Sequence, residues 1–181
     1  MVFAIEVYFN KEPEQSIRDL WISIEEMHPL TSLNAIEGAR PHISLAVCDV
    51  KTPHNVKQVL LRQRNLAPFP IRFDAVGCFP TTGTLFLSPV MSTPLWLIHE
   101  DIAWTLSQSG IELLPYYRPQ QWTSHCSLGL NLYGTNMTTA FERIVQIFVS
   151  LSGKVTAIGI IEVMHKEQRH AKSLEILREK L

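Results

Sequence analysis

Two short stretches of this sequence share a pattern. His42-Ile43-Ser44-Leu45 and His125-Cys126-Ser127-Leu128 both read His, apolar, Ser, Leu, and they lie 83 positions apart. In an extended strand, side chains at i and i+2 point to the same face. His42 and Ser44 therefore project together, with Ile43 and Leu45 on the opposite side, and His125 and Ser127 do the same against Cys126 and Leu128. A fold that accommodates this must supply two half-buried strands, each with an apolar back and an imidazole beside a hydroxyl on its front. A single histidine begins such a pattern in roughly one case in thirty at this composition. The weight of the pair therefore comes from where the two copies fall.

They fall at equivalent places. Phe3–Phe9 is short, apolar and partly alternating, as a strand is. Pro13 suits a first helical position, and Ile17, Leu20, Trp21 and Ile24 then recur at helical spacing up to His28-Pro29. His42–Val50 reads as the second strand. Val56, Val59 and Leu60 mark a second helix ending before Pro68. Phe69–Val76 and Thr84–Leu87 read as strands joined by the turn signals of GCFPTTG. Thr93 as N-cap and Pro94 then open a helix with Leu95, Ile98, Ile102 and Leu106 on its buried face and Gly110 as its stop. His125–Leu132 is the second motif strand. Thr139-Ala140-Phe141-Glu142 matches a capping box, with Ile144, Val145 and Phe148 on one face of the helix that follows. Val155–Met164 is strand-like. The segment AKSLEILREKL favours helix by propensity. Leu174, Ile176 and, less cleanly, Arg178 alternate as in a strand, which is the reading we favour.

The order is β-α-β-α-β-β-α-β-α-β-β. Each half has a strand, a helix and then a strand carrying the motif, an internal duplication of structure although the halves share little other sequence. No low-complexity linker separates them, so residues 1–181 are expected to form a single domain of two lobes.

Composition narrows the class. Apolar residues make up 46% of the 181 and charged residues 18%, which is enough to bury a real core. The formal net charge of −1 argues against a long groove for duplex DNA. It leaves room for a small nucleotide or an RNA end, where one or two charges suffice. Cys48, Cys78 and Cys126 are odd in number, far apart and outside any CxxC, and read as buried free thiols in a reducing, cytoplasmic setting. Glu6 interrupts the apolar N-terminus, which also lacks a basic start, so a signal peptide is not expected. No run approaches the ~20 apolar residues of a membrane span. Asn136-Met137-Thr138 is read as a chance sequon.

Two facing His/Ser pairs suit chemistry at a phosphodiester. In-line displacement at phosphorus needs a base on the attacking oxygen and an acid on the leaving oxygen. One neutral and one protonated imidazole can supply both near neutral pH. The serine hydroxyls can donate to non-bridging phosphate oxygens. A metal site is the rival use of two histidines, but no HxxxH or nearby Cys/His/carboxylate set supplies further ligands. His28, His54, His99, His165 and His170 are read as surface or capping residues. Tyr116, Tyr117, Arg118 and Trp122 could stack a base or gather a phosphate, or simply pack a loop. Lys57, Arg62 and Arg64 read as a solvated helix face, and Lys166, Arg169, Lys172, Arg178 and Lys180 as a mildly basic C-terminus.

HISL and HCSL resemble the H-apolar-[ST]-apolar signature of the two-histidine (2H) phosphoesterase superfamily, whose members include 2′-5′ RNA ligase-like proteins and cyclic nucleotide phosphodiesterases. RPHISL, the central FPTTGTLFLSP, WTSHCSL and the overall size extend the resemblance along nearly the whole chain. It implies an α+β, bilobal, pseudo-twofold fold with two antiparallel sheets flanking a central cleft and helices outside. It implies catalytic roles for His42 and His125, phosphate binding by Ser44 and Ser127, and no metal or other cofactor. Many members have threonine at the hydroxyl positions and proline before the histidine. Pro41 fits and Ser124 departs from that pattern. The implied reaction is metal-independent hydrolysis of 2′,3′-cyclic phosphates or 2′-5′ phosphodiesters of nucleotides or RNA ends, by a monomer with no membrane partner. The alternatives are 2′-5′ RNA ligation by the reverse reaction and a nucleotide- or RNA-end-binding module without turnover.

Overall fold

The elements of the computed structural model, which describes residues 1–31, 33–63, 66–166 and 169–181, follow the order read from the sequence. They are β1 (Val2–Phe9), α1 (Lys11–Met27), β2 (His42–Asp49), α2 (His54–Arg62), β3 (Phe69–Phe79), β4 (Thr84–Pro89), α3 (Thr93–Gln108), β5 (Cys126–Gly129), α4 (Thr135–Ile147), β6 (Leu151–Lys166) and β7 (Arg169–Lys180). The C-terminal segment is thus a strand: pairing with β6 overrides the helical propensity of its residues.

All named strand pairs are antiparallel, in the order β2-β1-β6-β3-β4-β5, with β7 also on β6. The α+β architecture expected from the sequence is present. The two sheets are hydrogen-bonded into one of seven strands because β6, at 16 residues, is long enough to serve both. Val155–Val163 of β6 pairs with β1. On its other edge, Leu151–Val155 pairs with β3 and Ala157–Lys166 with β7. The two motif strands, β2 and β5, stand at opposite ends of the strand order and yet touch each other. The sheet therefore bends round until its ends meet, and the motifs meet with them.

Alternation along β1 sets the layers. Phe3, Ile5, Val7 and Phe9 face the main core, with Ile17, Leu20, Trp21 and Ile24 of α1 and Leu95, Ile98 and Ile102 of α3. Ala4, Glu6 and Tyr8 face the other way, where Ala4 packs with Val47 and Ile161. Cys48 and Cys126 are buried free thiols and Cys78 is half-buried. No helix among the described residues is long and apolar enough to cross a membrane.

Several local expectations are corrected. The N-cap of α3 is Ser92, not Thr93: its Oγ accepts from the Leu95 N–H at 3.4 Å. Helix α4 begins at Thr135, so Thr139 sits inside it with its hydroxyl on the Thr135 carbonyl at 3.0 Å, and Val145 is exposed. Strand β3 runs on through Gly77, Cys78 and Phe79, leaving the turn to residues 80–83. Strand β5 is only four residues long, because the Leu130 and Leu132 N–H groups leave the ladder for the Thr31 and Gly83 carbonyls. His99 is fully buried rather than a surface residue: on α3 it falls at helical spacing with Leu95 and Ile102. His54 is exposed at the start of α2, and His28 is the C-cap residue of α1. Arg64 and the side chains of His165, Lys166, Arg169 and His170 lie outside the described residues.

Candidate active site

All four motif residues chosen from the sequence line one cleft, together with Glu6 and Tyr117. The two imidazoles are held in the same way. His42 Nδ1 lies 2.6 Å from the Arg40 carbonyl and His125 Nδ1 lies 2.7 Å from the Thr123 carbonyl, each two residues back along its own chain. A carbonyl can only accept, so each Nδ1 carries its proton and donates it. Each ring is fixed in orientation, and Nε2 is the nitrogen left for chemistry.

The two serines are also held alike, and across the halves. The outer edges of β2 and β5 have no neighbouring strand in the sheet order, so their outward carbonyls need other donors. Trp122, which precedes β5, donates its indole N–H to the Ser44 carbonyl of β2 at 3.0 Å. Trp21 of α1, which precedes β2, donates its indole N–H to the Ser127 carbonyl of β5 at 2.9 Å. Each half thus supplies the tryptophan that pins the other half's serine. Behind Trp122, the His99 ring stacks at 4.0 Å and 5°, and its Nε2 donates to the Tyr117 carbonyl at 3.1 Å. Burial drives the His99 imidazole below its ordinary value, so it packs as a neutral ring.

The halves differ in what lies across the strand from each serine. Ser44 faces Glu6 of β1, whereas Ser127 faces Phe86 of β4. His42 Nε2 accordingly lies 3.2 Å from Glu6 Oε1. Glu6 is 3% exposed and accepts a hydrogen bond from the Tyr8 hydroxyl at 3.0 Å. Burial raises its carboxyl above the ordinary range, against the opposing effects of His42 and Tyr8. His125 instead stands edge-on to Phe79 at 5.0 Å, with Phe86 at 5.4 Å. Burial lowers its imidazole; the Thr123 carbonyl opposes that shift and His42 adds to it.

The aromatic cluster before β5 divides. Trp122 is structural in the sense just given. Tyr117 interacts with Ser44 and faces the cleft, and burial pushes its phenol up to about 12. Tyr116 is 72% exposed, and Arg118 donates to the Leu113 carbonyl. A neighbouring hollow of about 200 Å³, lined by Phe79, Thr82, Tyr116, Tyr117 and Gln121, shares His125 with the cleft. Arg62 is exposed and Lys57 half-buried on α2, and Lys172 pairs with Glu37 at 2.7 Å. Among the described residues no three His, Cys, Asp or Glu side chains come together as a metal site.

Sequence reasoning missed Glu6, Tyr8 and the two indole bonds. For Glu6 a signal was present: in FAIEVYF the alternation places a lone carboxylate between Ala4 and Tyr8 on the face opposite the core.

Comparison with known proteins bears on the family and the fold. The sequence matches the 2′-5′ RNA ligase superfamily over residues 13–166. No curated protein matches it. Among solved structures, it is similar to E. coli LigT complexed with 3′-AMP, at 13% identity and a TM-score of 0.68, over 99% of this chain and 97% of that one. TT0787 of Thermus thermophilus aligns at 14% identity and a TM-score of 0.67, over 100% and 98%. A protein described as a phosphoesterase aligns at 14% identity and a TM-score of 0.64, over 99% and 97%. At these identities the structural likeness establishes the fold.

Proposed function

The chain belongs to the 2′-5′ RNA ligase superfamily, and we propose that it is a two-lobed, metal-independent phosphoesterase that hydrolyses 2′,3′-cyclic phosphates or 2′-5′ phosphodiesters of nucleotides or RNA ends. The observation that carries this reading is the matched anchoring of His42 and His125 through Nδ1, which leaves two Nε2 atoms for proton transfer in one cleft. One imidazole removes a proton from the attacking water as its oxygen bonds to phosphorus. The other gives a proton to the ribose oxygen as the P–O bond breaks. The Ser44 and Ser127 hydroxyls donate to the non-bridging oxygens, where negative charge must be held. Their strands are fixed by Trp122 and Trp21, so little rearrangement is needed when the phosphate enters. Complexes of E. coli LigT with 3′-AMP, ATP and NADP+ support a nucleotide as ligand here. The hollow beside His125, with Tyr116 and Phe79 on its wall, offers aromatic faces for a base.

The test is incubation with the four nucleoside 2′,3′-cyclic monophosphates in a chelator, beside His42→Ala and His125→Ala, with products resolved by chromatography. Turnover lost by ~10²-fold or more in each variant is expected. Activity that requires a metal would overturn the reading. Joining of the cyclic phosphate to a ribose hydroxyl, in place of hydrolysis, would assign the reverse reaction. Tight binding without turnover at any pH would assign a binding module.

A further inference from the structure

The two halves present matched imidazoles, but β1 makes them unequal. His42 Nδ1 is committed as a donor to the Arg40 carbonyl. A neutral His42 ring would therefore aim the Nε2 lone pair at Glu6 Oε1, 3.2 Å away. A lone pair against a carboxylate oxygen is repulsive, so the contact needs one proton, on the imidazole or on the carboxyl. The Tyr8 hydroxyl, 3.0 Å from Glu6 Oε2, donates to that oxygen and leaves Oε1 to His42, so the shared proton lies between Oε1 and Nε2. An isolated buried carboxylate is costly, and an imidazolium facing it is the available compensation.

Other charges do not substitute. Arg40 stacks over the Tyr8 ring at 5.3 Å, and its guanidinium is paired with Glu14 of α1 at 2.8 Å. Glu175 of β7 acts on Tyr8 and Arg40, while Tyr117, His125 and the Cys126 thiol are further titratable groups around the pair. Glu6 is the carboxylate in contact with His42. The position across from the other motif serine is Phe86, which carries no charge.

We propose that Glu6 is a positioning residue that keeps a proton on His42 Nε2, so that His42 enters the reaction as the acid and His125 as the base. The assignment of acid and base rests on the phosphoesterase reading; the coupling of Glu6 to His42 does not. As the water oxygen bonds to phosphorus, its proton goes to His125 Nε2. As the P–O bond to the ribose oxygen breaks, the His42 Nε2 proton goes to that oxygen. Exchange with solvent returns His42 to its protonated form and His125 to its neutral one.

Glu6→Gln keeps the shape, can still accept from Tyr8 and removes the charge. Ring NMR of the resting protein should show the proton at His42 Nε2 lost at lower pH in Glu6→Gln than in wild type, with His125 changing far less. With a 2′,3′-cyclic nucleotide, the alkaline limb of kcat/KM should fall by the same amount while the acidic limb stays. Glu6→Asp, which draws the carboxylate back, should give an intermediate shift and serves if the glutamine variant folds poorly. An unchanged His42 midpoint, or equal movement of both histidines, would overturn the proposal. The ring titration decides this even if no cyclic nucleotide is turned over, so failure of the phosphoesterase reading is seen separately.

Discussion

Trp122→Phe isolates the bond that ties one half of the molecule to the motif of the other. The indole N–H donates to the Ser44 carbonyl at 3.0 Å, and Trp122 is 8% exposed. Phenylalanine removes the donor and leaves an edge-strand carbonyl without its partner, at a cost of about 1–3 kcal/mol. The lost part of the ring adds about 1 kcal/mol of apolar contact. Phenylalanine retains part of the stacking on His99, so that loss stays below about 1 kcal/mol. The sum is about 2–5 kcal/mol, a large share of the roughly 5–15 kcal/mol that holds a domain folded. It should appear in urea unfolding as a lower midpoint with unchanged slope, and as a Tm lower by about 4–20 °C. The same bond fixes the backbone of Ser44, so kcat on a cyclic phosphate should fall more than KM rises. Trp21→Phe, which frees the Ser127 carbonyl, should have the same signature. A Trp122→Phe variant within 0.5 kcal/mol of wild type (about the scatter for neutral surface changes) and with unchanged kcat would refute the argument that the crossed indoles hold the site.

Three further outcomes are expected. Ser124 is buried with no partner for its hydroxyl, so Ser124→Ala should not destabilise and should gain up to about 1 kcal/mol in urea unfolding. A Cβ at Gly77 would meet the Phe86 ring at 2.6 Å, and Phe86 stands against His125, so Gly77→Ala should lower kcat/KM as well as stability; normal activity would show that the ring can move aside without disturbing the imidazole. The native His125 imidazole lies below its unfolded value of 6.5, so above that pH both states are neutral and nothing is lost. As pH falls through 6.5 the unfolded chain takes up the proton first, and stability drops until the native value is passed. Unfolding free energy should therefore fall between pH 7.5 and 5 with a smaller slope in His125→Ala, and equal slopes would contradict the shift.

What was legible in the sequence is what periodicity controls. The order of elements, the motif strands and even the disputed β7 follow from the spacing of apolar residues, because burial on one face is a local requirement. Termini were less legible. Ser92 and Thr93 are both competent caps, and only the position of the Leu95 N–H selects Ser92. Residue type alone reads His99 as a surface group, although its spacing with Leu95 and Ile102 places it inward. The Trp21–Ser127 bond joins residues 106 apart and depends on how far the sheet bends, which no local pattern encodes. Whether there were one or two sheets turned on the length of β6, whose pairing with β3 occupies its first five residues alone.

The duplicated architecture explains why the chemistry needs a local difference. Two strands of the same pattern, each with Nδ1 held by the carbonyl two residues back, would by themselves present two equivalent imidazoles, and equivalent groups make a poor acid–base pair. Cross-strand pairing supplies the means of breaking that equivalence. The residue opposite each serine is on the same face and within reach of the histidine, so one substitution there alters one imidazole and leaves the scaffold intact. Here that position holds Glu6 on β1 and Phe86 on β4. A carboxylate favours the charged ring and an aromatic wall the neutral one. On the proposed phosphoesterase reading, the fold thus keeps a pseudo-symmetric support for a phosphate while the two proton-transfer roles are separated at a single pair of positions.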